Sequence, residues 1–185
     1  MKYDITVYGD PLLRRKAKPI EKGHAGLEEI IDNMFETMHY SDGVGLAAPQ
    51  TGMSIRIFVI DATQVADEEP ELKNFRKVFI NPEIIERTGE EVIMNEGCLS
   101  LPEIREDIKR PDSVRIQYYD ENFELNEDVF TGYAARIVQH EFDHLEGILF
   151  IDYLTPLRKR LIKSKLRNIA HGKVTPHYRI KIPVK

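Results

Sequence analysis

The fold turns on Gly132-Tyr133-Ala134-Ala135-Arg136-Ile137-Val138-Gln139-His140-Glu141-Phe142-Asp143-His144-Leu145-Glu146-Gly147. Upstream, Val114, Ile116 and Tyr118 alternate as on a strand. Around Gly132 the period lengthens: Tyr133, Ile137, His140/Glu141 and His144 recur at three to four residues. That spacing predicts a helix, and Gly147 is a natural stop. Inside it, His140-Glu141-Phe142-Asp143-His144 is an HExxH pattern. Histidines at i and i+4 lie one turn apart on one face. Two imidazoles can then bind one metal ion while the glutamate lies beside the water such an ion activates. The bland alternative is an amphipathic helix carrying satisfied surface histidines.

A catalytic ion of this kind needs a third protein ligand. Downstream, Gly147 is followed by Ile148, Leu149 and Phe150, so no histidine falls at the third place after it. No acid follows Asp152, and Glu146 and Asp152 crowd the helix end. His171 and His177 are the remaining downstream options. Upstream, Cys98 in Glu96-Gly97-Cys98-Leu99-Ser100 is the leading candidate. A thiolate suits a borderline metal, and two histidines plus one cysteine leave a fourth position open. Alone, a single cysteine would read as a small buried hydrophobe.

Working outward, residues 27–39 place Leu27, Ile30, Ile31, Met34 and Met38 at helical spacing, ending near Ser41-Asp42-Gly43. A Gly-rich loop, GVGLAAPQTG, follows, then a strand through Ile55, Ile57, Val59 and Asp61. Residues 62–75, acidic and containing Pro70, read as an exposed loop. Strands are expected at 77–81, 83–88 and 91–95, the last two joined by a turn around Gly89. Asp120-Glu121-Asn122 is a turn into 123–130. A helix at about 156–170 ends near Gly172, and a strand-like tail, HYRIKIPV, follows. Regular βαβ units are absent. The class is α+β: mixed strands, largely antiparallel, packed around a central HExxH helix, with a C-terminal helix.

The 185 residues are the length of one domain, expected to span 1–185. At 42% hydrophobic and 31% charged residues the chain is no disordered protein. No apolar run approaches the ~20 residues of a membrane span, and MKYDITVYGD lacks a signal-peptide core. A single cysteine excludes an intramolecular disulfide and points to the cytoplasm. The net charge of −5 hides an asymmetry. Residues 155–185 carry ten Lys/Arg and no acid, leaving a net of −15 on residues 1–154. The acidic body argues against DNA; the basic segment argues for one local polyanionic partner.

Three segments together resemble peptide deformylase: Gly43-Val44-Gly45-Leu46-Ala47-Ala48-Pro49-Gln50, Glu96-Gly97-Cys98-Leu99-Ser100, and Gln139 through Gly147. They stand in that family's order and at compatible spacing. The resemblance implies an α+β fold with the metal helix among the strands. It implies removal of the N-formyl group from N-formyl-Met nascent polypeptides, with release of formate. It implies one divalent ion per chain, Fe(II) favoured and Zn(II), Ni(II) or Co(II) possible, on Cys98, His140 and His144. Glu141 resembles the general base; Gln50 and the Leu99 N–H resemble the oxyanion donors. Gly45 resembles the residue whose backbone binds substrate backbone. Val44, Tyr133, Ile137 and His140 fall where the methionine pocket would be. Some deformylases bind the ribosome through a C-terminal helix, which would suit residues 155–185.

Two features depart from the pattern. Residues 62–75 are longer and more acidic than a minimal loop. Arg136 puts a charge beside the pocket residue Ile137, on a side chain able to snorkel to the rim. Gln139 and Asp143 either orient groups at the site or face solvent, and Ser100 reads as a turn cap. The competing functions are an HExxH metallo-endopeptidase, and a ribosome- or RNA-binding protein with a structural metal. The last would need four protein ligands and would leave Glu141 unexplained.

Overall fold

In a computed structural model that describes residues 1–183, the chain runs β1 (Ile5–Thr6), α1 (Leu27–Tyr40), β2 (Gly45–Ala47), β3 (Ile57–Asp61), β4 (Arg76–Gly97), β5 (Arg105–Tyr119), β6 (Leu125–Thr131), α2 (Gly132–Leu145), α3 (Pro156–Ala170) and β7 (Ile180–Lys181). Val184 and Lys185, the end of the expected tail, lie outside the described residues. Strands β2 to β6 form one antiparallel sheet in sequence order. β1 and β7 pair in parallel, joining the two ends of the chain.

β3 shows why the sheet sits where it does. Its five residues are all buried, because the pleat sends alternate side chains to opposite faces and each face is covered by a helix. Phe58 and Ile60 pack with Phe79, Val114, Ile116 and the α2 residues Ala134, Ala135 and Val138. Ile57 and Val59 pack with Leu46, Val78 and the α1 residues Met34, Phe35 and Met38. Burying each such side chain contributes roughly 1.5–3 kcal/mol. α1 ends where expected: Asp42 takes φ 56° and the Gly43 N–H reaches back to the Met38 carbonyl at 3.0 Å. α2 also stops on schedule. Gly147 has φ 73°, and a Cβ there would lie 2.7 Å from the Arg14 backbone.

Two expectations are corrected. The segments 83–88 and 91–95 are not a hairpin about Gly89. They belong to the single 22-residue strand β4, which pairs with β5 throughout. Gly89 falls in a register shift between Thr88 and Glu91; such irregularities bend a strand without ending it, and from sequence that break in alternation imitates a turn. Nor is 62–75 a wholly exposed loop. It forms short 3-10 turns at Thr63–Val65 and Pro70–Leu72, and it sends Ala62, Leu72 and Phe75 into the core. Its Gln64 amide donates to the Gly43 carbonyl at 3.0 Å, tying it to the Gly-rich loop.

Candidate metal centre and cleft

α2 delivers His140, Glu141 and His144, and Cys98 follows directly on the end of β4. The ligand atoms of Cys98, His140 and His144 all lie within 4.8 Å of one another, a cluster able to hold a metal ion. Cys98 Sγ is 3.3 Å from His144 Nε2. The downstream options are occupied elsewhere. Glu146 binds Arg56 and Lys16 at 2.6 and 3.0 Å, and Asp152 binds Arg14 at 2.5 Å. His171 meets the Arg167 carbonyl, and His177 meets Asp42 and the Tyr40 carbonyl.

The donor set fits a borderline divalent ion: one thiol and two imidazoles. His140 uses Nδ1 against Glu96 Oε2 at 2.9 Å, leaving Nε2 for a ligand. Such a carboxylate fixes ring orientation and tautomer. His144 is held well below its usual pKa, first by burial and then by the charges of His140 and Arg110, a shift toward the neutral imidazole that metal binding requires. Burial alone would lower His140 as well; contacts with Cys98 and Glu96 outweigh it and raise it.

Glu96 is the centre of a buried charge network. It accepts from Arg110 Nε and Nη2 at 2.7 and 3.0 Å, and from Arg136 Nη1 at 2.7 Å. Burial by itself would raise the Glu96 pKa; the hydrogen bonds from His140 and Arg110 and their charges hold it well below the carboxylate range. Arg110 also binds Asp143 at 2.6 Å, and Tyr153 donates to Asp143 at 2.9 Å. Sequence reasoning quoted Glu96 only as part of a motif. Its role depends on strand register: Glu96 pairs with Glu106, which sets Arg110 four residues further along β5.

Arg136 is therefore corrected. It lines the cleft but does not snorkel to solvent at the rim: it is 4% exposed and clamps Glu96, the Ile108 carbonyl and the Val92 carbonyl. Both alternatives for Gln139 and Asp143 are resolved as buried. Asp143 supports the network, whereas Gln139 donates to the carbonyls of Pro111 and Ala135 and touches no ligand. Ser100 caps no turn: its Oγ accepts from Gln50 Nε2 at 3.3 Å.

Glu141 is buried, and its Oε2 has no hydrogen-bond partner among the described residues. Burial, opposed by His140, pushes its pKa up to about 7. A Cβ on Gly45 would lie 2.5 Å from Glu141 Oε1, so the glycine makes room for the carboxylate. Gln50 Oε1 accepts from the Ala47 N–H at 2.8 Å, which turns its amide nitrogen toward Cys98 Sγ, 3.4 Å away. The Leu99 N–H has no partner among the described residues.

Val44, Gly45, Gln50, Cys98, Leu99, Tyr133, Ile137, His140 and Glu141 all line one cleft of about 380 Å³. His144, 2% exposed, lies outside its lining. Segments far apart in sequence are thus brought to one place, at the free edge of β2 and against α2.

An antiparallel sheet between two helices, with an HExxH helix and an upstream cysteine converging on a cleft, defines a protein with a His₂Cys centre able to hold a metal ion. Residues 2–160 match the family model for polypeptide deformylase, and the chain belongs to that enzyme family. It is 53% identical to the peptide deformylase of Christiangramia forsetii, over 97% of this chain and 95% of the relative. It is 48% identical to that of Flavobacterium psychrophilum, over 96% and 95%. The crystal structure of peptide deformylase from Thermus thermophilus superposes with a TM-score of 0.82 at 38% identity, covering 93% of this chain and 99% of that one. No helix among the described residues is long and apolar enough to cross a membrane.

Proposed function

We propose that this chain, as one catalytic domain over residues 1–185, removes the N-formyl group from the N-terminal methionine of newly made polypeptides in the cytoplasm. The products are formate and a free amino terminus. The observation that carries this reading is the cluster of Cys98, His140 and His144, with Cys98, His140, Glu141 and Gln50 lining one cleft and His144 buried behind it. Cys98, His140 and His144 would hold one divalent ion, with Fe(II) favoured. That ion would supply Lewis acidity and a nucleophile from water at neutral pH.

The chain's own residues do the rest. Glu141, whose carboxyl is pushed up to about 7, takes a proton from the attacking water and delivers it to the leaving amine. Gln50 Nε2 and the Leu99 N–H donate to the oxygen that gains charge as water adds to the formyl carbon. Each is preset: the Gln50 amide by Ala47, the Leu99 N–H by having no other partner among the described residues. Val44, Tyr133 and Ile137, beside His140, form an apolar wall suited to the flexible methionine side chain. The Gly45 backbone lies at the sheet edge, beside the cleft, where an extended peptide can add.

α3 supplies a second part of the reading, contact with the ribosome. Arg160, Lys163 and Lys165 are exposed and in no ion pair among the described residues. The test of the main activity is anaerobic loading with Fe(II), metal analysis, and formate release from a formyl-Met peptide. Formate should appear with the metal and vanish on chelation. Casein cleavage without formate release would overturn the reading in favour of an endopeptidase. Cys98→Ala should lose metal and activity together; full occupancy in that variant would remove Cys98 from the centre.

A further inference from the structure

The C-terminal segment after α3 carries none of the three motifs, yet it enters the cleft. β7 pairs with β1, and the Ile5 N–H donates to the Arg179 carbonyl at 2.9 Å. Arg179 reaches the Lys2 carbonyl at 2.8 Å and Asp4 at 2.9 Å. His177 lies 3.3 Å from Asp42, a residue of the cleft rim. Between these anchors, Tyr178 lines the cleft beside Cys98 and Leu99. Its hydroxyl donates to the Leu99 carbonyl at 2.9 Å.

The turn after Cys98 is held carbonyl by carbonyl. Cys98 O accepts from the Leu101 N–H, and Ser100 O accepts from the Tyr8 N–H, each at 2.9 Å. Leu99 O, between them, is held by the side chain of Tyr178, 79 residues away in sequence. The Leu99 N–H is free among the described residues. The Leu99 N–H shares a rigid peptide plane with the Cys98 carbonyl, which the Leu101 N–H holds. Tyr178 holds the next plane, and the two torsions of Leu99 join the planes, so the two bonds together fix the turn that carries the N–H.

We propose that Tyr178 is a positioning residue of this site: by holding the Leu99–Ser100 peptide it locks the turn from Cys98 to Leu101, and with it the Leu99 N–H, in place at the cleft. This rests on the deformylase reading for its catalytic consequence, because a fixed donor stabilises a developing oxyanion only where it is already aimed. The C-terminal segment is then part of the active site, and its pairing with β1 serves to deliver one phenol.

Tyr178→Phe removes one oxygen and keeps the ring that walls the cleft. The expected result is a fall in kcat of about five- to tenfold on a formyl-Met peptide, the scale of one lost hydrogen bond. KM should stay within about twofold and metal content should be unchanged, because the Leu99 donor acts on the oxygen that gains charge in the transition state. Tm should fall by only a few degrees, the scale of one hydrogen bond lost from the folded protein. Tyr178→Leu should raise KM as well. Independently of turnover, the Leu99 amide in Tyr178→Phe should shift its ¹⁵N–¹H resonance and exchange faster with solvent. An unmoved Leu99 amide with native kcat would overturn the proposal. So would a kcat loss that merely tracks lost metal, which is the signature of a structural role. If the wild-type protein released no formate, the deformylase reading would fall, and the amide measurement would still decide whether Tyr178 sets Leu99.

Discussion

α2 and α3 are 14 and 15 residues long, and both carry charge at many positions. They handle it in opposite ways. In α2, Arg136, Glu141, Asp143 and His144 are all under 5% exposed, and the two outside the proposed centre are matched by Glu96 and Arg110. In α3, only Ile162 and Ile169 are buried, and the bases face solvent. The difference teaches that a charge is given its meaning by what faces it. Buried charges require paired partners from other strands, and breaking one such pair is costly. Exposed charges contribute little to stability and are free to act on another molecule.

The largest expected effect tests α2. Glu141→Gln keeps shape and removes basicity, so metal content should be retained while formate release falls about 10²–10⁴-fold. Near-native turnover would remove Glu141 from its role and leave the buried carboxylate without a purpose. Next comes the network behind it. Glu96→Ala leaves Arg110 and Arg136 without their shared carboxylate. The expected loss is about 3–5 kcal/mol, a fall in Tm of roughly 10 °C, together with weaker metal binding as His140 loses its orienting partner. An unchanged Tm would show that the arginines find water and that the network contributes nothing net.

The two helices also differ in how far sequence could reach. Much that is periodic or local was legible: the HExxH helix, its stop at Gly147, the α1 stripe, and the three motif segments that meet at the cleft. What depended on strand register was not. Glu96 and Arg110 are 14 residues apart and meet only because β4 and β5 pair as one long ladder. Arg136 sits where helical spacing allows either rim or core, and only the carboxylate opposite decides. Tyr178 was hidden for the same reason at longer range, since nothing local links a tail tyrosine to the Leu99 carbonyl. The long strand β4 reads as two because a bulge at Gly89 and a turn share the same residue signal.

A smaller effect sharpens the comparison inside α3 itself. Arg158 is not a free base. It forms a forked pair with buried Glu106, with contacts at 2.7–2.9 Å. Arg158→Ala should cost about 1–3 kcal/mol, because it strands that carboxylate. Lys163→Ala should stay within about 0.5 kcal/mol. Urea unfolding of the two variants checks this, and equal midpoints would mean that α3 is uniformly a surface helix.

The smallest effect on the enzyme itself carries the most about α3. Arg158 and Lys159 are engaged within the molecule, Lys159 through the Asp152 carbonyl at 2.8 Å. Reversing them would confound docking with folding. Arg160, Lys163, Lys165 and Arg167 expose their charge without an ion pair among the described residues. Changing these four to glutamate should leave Tm and turnover of a small formyl-Met peptide near native values. Co-sedimentation with ribosomes should be lost. In the unaltered protein that association should weaken steeply from low to moderate salt, because phosphate contacts release counterions. The acidic remainder of the chain makes the test stringent, since it repels RNA and leaves α3 and the segment after it as the attractive face. Native co-sedimentation in the four-fold variant would assign these charges to solvation alone. The contrast between the two helices would then be one of burial, with no division of labour between chemistry and docking.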